Sequence, residues 1–82
     1  MRNNQYGKQK DMSTEFIQLQ LSRRIRDLRE DNDLRQWQIA ALLRIDRTTY
    51  AHYESGRRRP DFEMIVKLAK YYGVSVDYLL GA

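Results

Sequence analysis

Apolar residues fall along this chain in short helical stripes separated by polar turns. In 36–56, QWQIAALLRIDRTTYAHYESG, Ile39, Ala40 and Leu43 recur at i, i+1 and i+4, which places them on one face of a short helix. One of the three is small enough to let another helix approach closely. Asp46 then offers a side-chain oxygen to cap a second helix over 47–55, and Gly56 most easily takes the left-handed turn that ends it. On that helix Tyr50 and Tyr53, three residues apart, share a face, while Arg47, Thr48, Ala51, His52 and Ser55 are small or polar and fall largely on other faces. So narrow an apolar face buries a helix by half at most and leaves its polar first turn free to touch something. The pair is the unit that the rest of the chain supports.

The stretch 16–21, FIQLQL, carries two patterns at once. Ile17, Leu19 and Leu21 alternate as in a strand, yet Ile17, Leu21, Ile25 and Leu28 continue at helical spacing. The longer register favours a first helix with Ser13 or Thr14 near its N-cap, Ile25 and Leu28 inward, and Arg23, Arg24, Arg26 and Asp27 outward. Phe16 and Leu19 then cover the core edge or a second subunit. Asp31, Asn32 and Asp33 end the helix, because their side chains compete for backbone hydrogen bonds and tolerate turns. Further on, Pro60 with Asp61 starts a fourth helix whose core stripe reads Phe62, Ile65, Val66, Ala69 and Tyr72, and Gly73 closes it. The VSVD of 74–77 opens a last short helix in which Leu79 and Leu80 complete the core or a dimer seam.

Eighty-two residues make one domain, and at that size only about 60 % of the unfolded chain's surface can be buried. The absence of cysteine excludes disulfides and thiolate metal sites and fits a reducing compartment. No run approaches the roughly 18 apolar residues of a membrane span, and the start lacks the apolar stretch of a signal peptide. A soluble, cytoplasmic protein with no membrane partner is expected. Residues 1–13 carry almost nothing apolar and are expected to form a disordered or weakly ordered tail before a domain over 14–82.

Charge sharpens the picture. The net charge is +4, and 35–59 holds six arginines against Asp46 and Glu54, so the whole excess sits in the helix pair and the loop after it. That concentration is the electrostatic footprint of phosphate contacts, or else a solvated basic surface. Likewise Arg57, Arg58 and Arg59 form either a solvated loop or a phosphate clamp, and Arg2, Lys8 and Lys10 would suit a minor-groove arm. Catalysis is not expected: the lone His52 lies on an exposed helix, and the chain has no glycine-rich phosphate loop and no metal-ligand spacing. No cofactor or metal is called for.

The order QxxxA, YExG, Pro60 and GVSVDYLL resembles the Cro and phage-repressor (XRE) family of helix-turn-helix proteins, matched through Gln36, Ala40, Ile45, Glu54, Gly56 and Pro60. The likeness runs from LSRRIRDLRE at Leu21 to the end, about three quarters of the chain. It implies an all-α, compact five-helix lambda-repressor-like domain that binds double-stranded DNA as a transcriptional regulator, most simply a repressor acting by operator occupancy as a homodimer. Residues in the first turn of the Asp46-capped helix and one turn later can reach base edges, which selects Arg47, Thr48 and His52, with Thr49 and Ala51 flanking; the resemblance points to the same three. Expected DNA backbone contacts are Gln36, Thr49, Ser55, Arg57, Arg58 and Arg59. The resemblance also implies an ion pair between Arg29 and Glu54 that ties the first helix to the recognition helix, the alternative being an exposed arginine. Two departures stand out. Arg44 occupies a turn where the family prefers glycine, so the turn is either strained by on the order of 1 kcal/mol or differently shaped, and the apolar lead-in before Leu21 is longer than the family's. The alternative function is an antitoxin or protein-interaction module whose partner, a toxin or a regulator, docks on Phe16, Leu19 and Trp37; for Trp37, beside the inward stripe of its helix, half-buried packing is expected ahead of such a contact.

Overall fold

Four of the helices begin at a Ser or Asp whose side chain accepts the backbone N–H three residues on, satisfying a donor that the first turn leaves open. Ser13 receives Phe16 N at 3.1 Å, Asp46 receives Thr49 N at 2.7 Å, Asp61 receives Met64 N at 2.8 Å and Ser75 receives Tyr78 N at 2.9 Å. The computed structural model describes residues 13–81. They form α1 (Thr14–Asp31), α2 (Gln36–Leu43), α3 (Arg47–Ser55), α4 (Phe62–Tyr72) and α5 (Val76–Leu79), with no strand among the described residues. The strand alternative for 16–21 therefore gives way to the helical register. Apart from Ser13, the expected tail 1–13 and its three cations lie outside the described residues.

Left-handed residues end α2, α3 and α4: Arg44 at φ 61°, Gly56 at φ 80° and Gly73 at φ 69°. At Arg44 the turn keeps the geometry that suits glycine and bears the strain of a Cβ, about 1 kcal/mol. It is held by Arg44 N donating to Ala41 O at 3.1 Å and Ile45 N to Ala40 O at 3.0 Å, which satisfies carbonyls at the end of α2.

The core is built from Leu21 and Ile25 of α1, Ile39, Ala40 and Leu43 of α2, Tyr50 and Tyr53 of α3, Met64, Leu68 and Ala69 of α4, and Leu79 of α5. Helix α1 packs on α3 and α5, α2 on α3 and α4, and α4 on α5. Three expectations need correction. Phe62 is 76 % exposed and Val66 stands outside the core, while Met64 and Leu68 are buried. The inward band of α4 is Met64, Ile65, Leu68, Ala69 and Tyr72, an i, i+1, i+4, i+5, i+8 pattern, and Pro60, just before the helix, is buried where Phe62 is not. Trp37 is 58 % exposed rather than half-buried. Ile17, the first residue of the expected α1 stripe, is exposed like Leu19, because the core against α1 begins at Leu21.

Candidate nucleic-acid interface

Helix α3 stands on the two tyrosines. Tyr50 and Tyr53 are buried and meet edge to face, their ring centroids 6.3 Å apart. This turns Arg47, Thr48 and Ser55 fully outward, with Ala51 and His52 half exposed beside them. The residues expected to read bases thus share the outer surface of one helix. At its start Asp46 accepts both Thr49 N and, at 3.0 Å, Thr49 Oγ1. These bonds from Thr49 hold the Asp46 carboxyl below its ordinary value, so the cap stays anionic.

The residues expected to touch the DNA backbone are differently occupied. Arg57, Arg58 and Arg59 project from an exposed loop that folds back on the end of α3, with Arg58 N donating to His52 O at 3.2 Å and Arg57 N to Ser55 Oγ at 3.4 Å. The Thr49 hydroxyl hydrogen is given to Asp46 and that of Ser55 to His52 O at 3.2 Å, so a phosphate would have to displace these bonds to receive them. Gln36 turns its side chain inward. Its Nε2 donates to Glu54 Oε1 at 3.2 Å and its Oε1 accepts from Arg47 NH1 at 3.4 Å, leaving the backbone N–H of the first turn of α2 as its outward donor.

Gln36 belongs to a longer chain of contacts. Arg29 grips Glu54 with two bonds, Nε to Oε2 at 2.6 Å and NH2 to Oε1 at 3.1 Å, and gives NH1 to Leu34 O at 2.9 Å. The side chains are 14 % and 6 % exposed. Burial pushes the Glu54 carboxyl up, but the hydrogen bonds from Arg29 and Gln36, with the Tyr50 hydroxyl beside them, outweigh it and hold the group below its ordinary value. The bond to Glu54, stronger than the cost of burial, raises Arg29 in turn. The Tyr50 hydroxyl is close enough to Glu54 to shift it, yet neither it nor the Tyr72 hydroxyl meets an acceptor at good hydrogen-bonding geometry among the described residues. Burial pushes the Tyr50 phenol far up and that of Tyr72 to about 12. Arg29, Glu54, Gln36 and Arg47 thereby link α1, α3 and α2 and end at the first residue of the outward helix.

An open cleft of ≈ 270 Å³ lies over this network, lined by Arg26, Arg29, Gln36, Ala51, Glu54 and Ser55. Arg26, which the sequence reading treated only as an outward charge, stands at its lip and pairs with Glu30 at 3.3 Å. Its placement three residues before Arg29, on the same helical face, is a signal that was available. Gln18 was also passed over: its Nε2 donates to Gly56 O at 2.7 Å and its Oε1 accepts from Arg59 Nε at 3.4 Å. No local pattern announces a contact across that sequence distance.

A short helix, a left-handed turn and a second helix capped by Asp46 and raised on two tyrosines define a helix-turn-helix domain. The helix-turn-helix family profile matches residues 25–79, and the chain belongs to that family. It is similar to the cryptic phage CTXphi transcriptional repressor RstR of Vibrio cholerae, 42 % identical over 59 residues, covering 72 % of this chain and 53 % of the relative. It is also similar to the HTH-type transcriptional regulator AnsR of Bacillus subtilis, 41 % identical over 58 residues, 71 % of this chain and 50 % of that one. The crystal structure of a transcriptional regulator from Listeria innocua matches with a TM-score of 0.72 and 35 % identity, covering 76 % of this chain and 58 % of the other. The chain spans about half the length of the curated relatives it matches. No described helix is long and apolar enough to cross a membrane.

Proposed function

We propose that the chain is a sequence-specific double-stranded DNA-binding regulator of transcription, most simply a repressor that acts by occupying its operator. The observation that carries this reading is the outer face of α3, where Arg47, Thr48 and His52 stand exposed or half exposed beside the Arg57, Arg58 and Arg59 loop. A helix with that face can enter the major groove, whose base edges carry a donor and acceptor code. Arg47, steadied by Gln36, has N–H groups to spare for a bidentate fork to guanine O6 and N7. Thr48 suits a thymine methyl or a phosphate, and His52 can donate to guanine N7 or O6. The start of α2 at Gln36 offers a backbone N–H to a phosphate, the arginine loop neutralises others, and Thr49 and Ser55 flank the track. Such contacts need neither cofactor nor catalysis.

A single module of this size touches few base pairs, so a homodimer on a two-fold symmetric site is the working form, with half-sites about 34 Å apart on one face of the DNA. The cytoplasm is where such a protein meets its operator. Relatives named as a transcriptional repressor and a transcriptional regulator favour this reading over an antitoxin that docks through Phe16, Leu19 and Trp37. Selection on random duplex DNA is the direct test. An enriched inverted repeat, protected in two half-sites, is expected; a pool that never enriches would sink the proposal, and a single protected half-site would remove the dimer.

A further inference from the structure

Helix α1 begins at Thr14, seven residues before Leu21, where the family resemblance starts. Its N-terminal half touches the far end of α3. A helix leaves its last carbonyls without intrahelical partners, and here α1 supplies two donors there. Ser22 Oγ donates to Tyr53 O at 2.9 Å in a buried bond, and Gln18 Nε2 donates to Gly56 O at 2.7 Å in a partly buried one. Gln18 and Ser22 are four residues apart and therefore share a face of α1.

Gln18 does more than cap. A carboxamide carries a donor and an acceptor on one short planar group. Its donor holds the carbonyl where the arginine loop leaves α3, and its oxygen accepts Arg59 Nε at 3.4 Å near the loop's far end. The loop is thereby pinned at both ends by one side chain. With Nε occupied, the Arg59 guanidinium keeps its two terminal nitrogens, the pair that can grip a phosphate.

We infer that Gln18 is a positioning residue for the DNA-backbone contact: it fixes the loop from Gly56 to Arg59 against the end of α3 and presents Arg59 to a phosphate. The inference rests on the DNA-binding reading above. Loss of the brace leaves the loop and Arg59 to be ordered at the moment of binding, which weakens affinity about 2- to 10-fold on any duplex.

The test is a double-mutant cycle of Gln18→Met with Arg59→Ala, read as affinity for the selected operator and for an unrelated duplex over a range of salt, with thermal melts alongside. Gln18→Met is expected to weaken both duplexes alike and to have little further effect once Arg59 is gone. Equal affinity for parent and Gln18→Met, or a loss that is the same with and without Arg59, overturns the inference. Gln18→Glu is a second arm for use if the methionine variant melts below the assay temperature. Its carboxylate pairs with Arg59 and draws that charge away from phosphate, so binding should fall and the salt dependence flatten; unchanged binding refutes it. A parent that binds no duplex ends the DNA-binding reading and this inference with it, whereas a parent that binds beside an indifferent Gln18→Met ends only the inference.

Discussion

Replacing Glu54 by alanine strands Arg29. The Arg29 side chain is 14 % exposed, and two of its three hydrogen-bonding nitrogens point at the carboxylate. Removing one member of a buried pair costs about 3–5 kcal/mol, because the other charge stays desolvated. Arg29 would keep Leu34 O at 2.9 Å and Glu30 at 3.8 Å, so the lower end of that range, about 3 kcal/mol, is the expected loss. In a domain whose total stability is on the order of 5–15 kcal/mol, this is a large share. At about 4–8 °C per kcal/mol for a chain of this size, Tm should drop by roughly 12–24 °C in a far-UV circular dichroism melt. The double variant Arg29→Met, Glu54→Leu removes both charges and should recover most of the loss, since a buried pair adds little over apolar side chains of similar volume. A Glu54→Ala loss below about 0.5 kcal/mol would mean that the pair behaves as a surface one, and the reasoning from burial would fail.

Arg47→Ala should cost about 1–3 kcal/mol on the selected operator and relax preference at one base pair per half-site; an unchanged consensus on reselection would refute the docking of α3. His52→Ala should act in the same way, more weakly, at a neighbouring pair. Replacing Arg57, Arg58 and Arg59 together by alanine should weaken binding to all duplexes and flatten the plot of log K against log salt by up to about 0.9 per lost phosphate contact, whereas an unaltered slope would show that the loop faces solvent. Because the folded state holds Glu54 below its ordinary value of 4.5, its contribution to stability is complete above that pH and is lost as pH falls through the folded value. Asp46 adds in the same direction. Melts taken across that window should therefore show Tm falling with acid, less steeply in Glu54→Gln than in the parent, and parallel curves would exclude Glu54 as a source of the effect.

What could be read in advance was local. The Asp46 cap, the Tyr50 and Tyr53 face and the Gly56 terminus all lie within one turn or two of each other, where spacing fixes geometry. Even the strain at Arg44 follows from a single residue in a turn that favours glycine. Helix α4 was harder, because Phe62, Met64, Ile65, Val66, Leu68, Ala69, Tyr71 and Tyr72 offer more apolar positions than one face can hold. Its neighbours α2 and α5 select the band containing Met64 and Leu68, and periodicity carries no information about neighbours. Trp37 failed for the same reason. The approach of Arg29 to Glu54 was suggested by resemblance rather than by spacing, and that of Gln18 to Gly56 depends on α1 crossing the end of α3, which no stretch of sequence encodes by itself.

The exposure of Trp37 decides how this molecule can be watched. It is the chain's single tryptophan, and it sits in the first turn of α2 with 58 % of its surface in solvent. Its indole already resides in water when the protein is folded, so its emission should change little on denaturation, and a fluorescence melt would understate the transition that backbone ellipticity reports. The same exposure makes it a sensitive spectator of whatever comes to rest beside Gln36. Quenching on addition of duplex DNA, with ellipticity unchanged, would time the docking event separately from any change in fold.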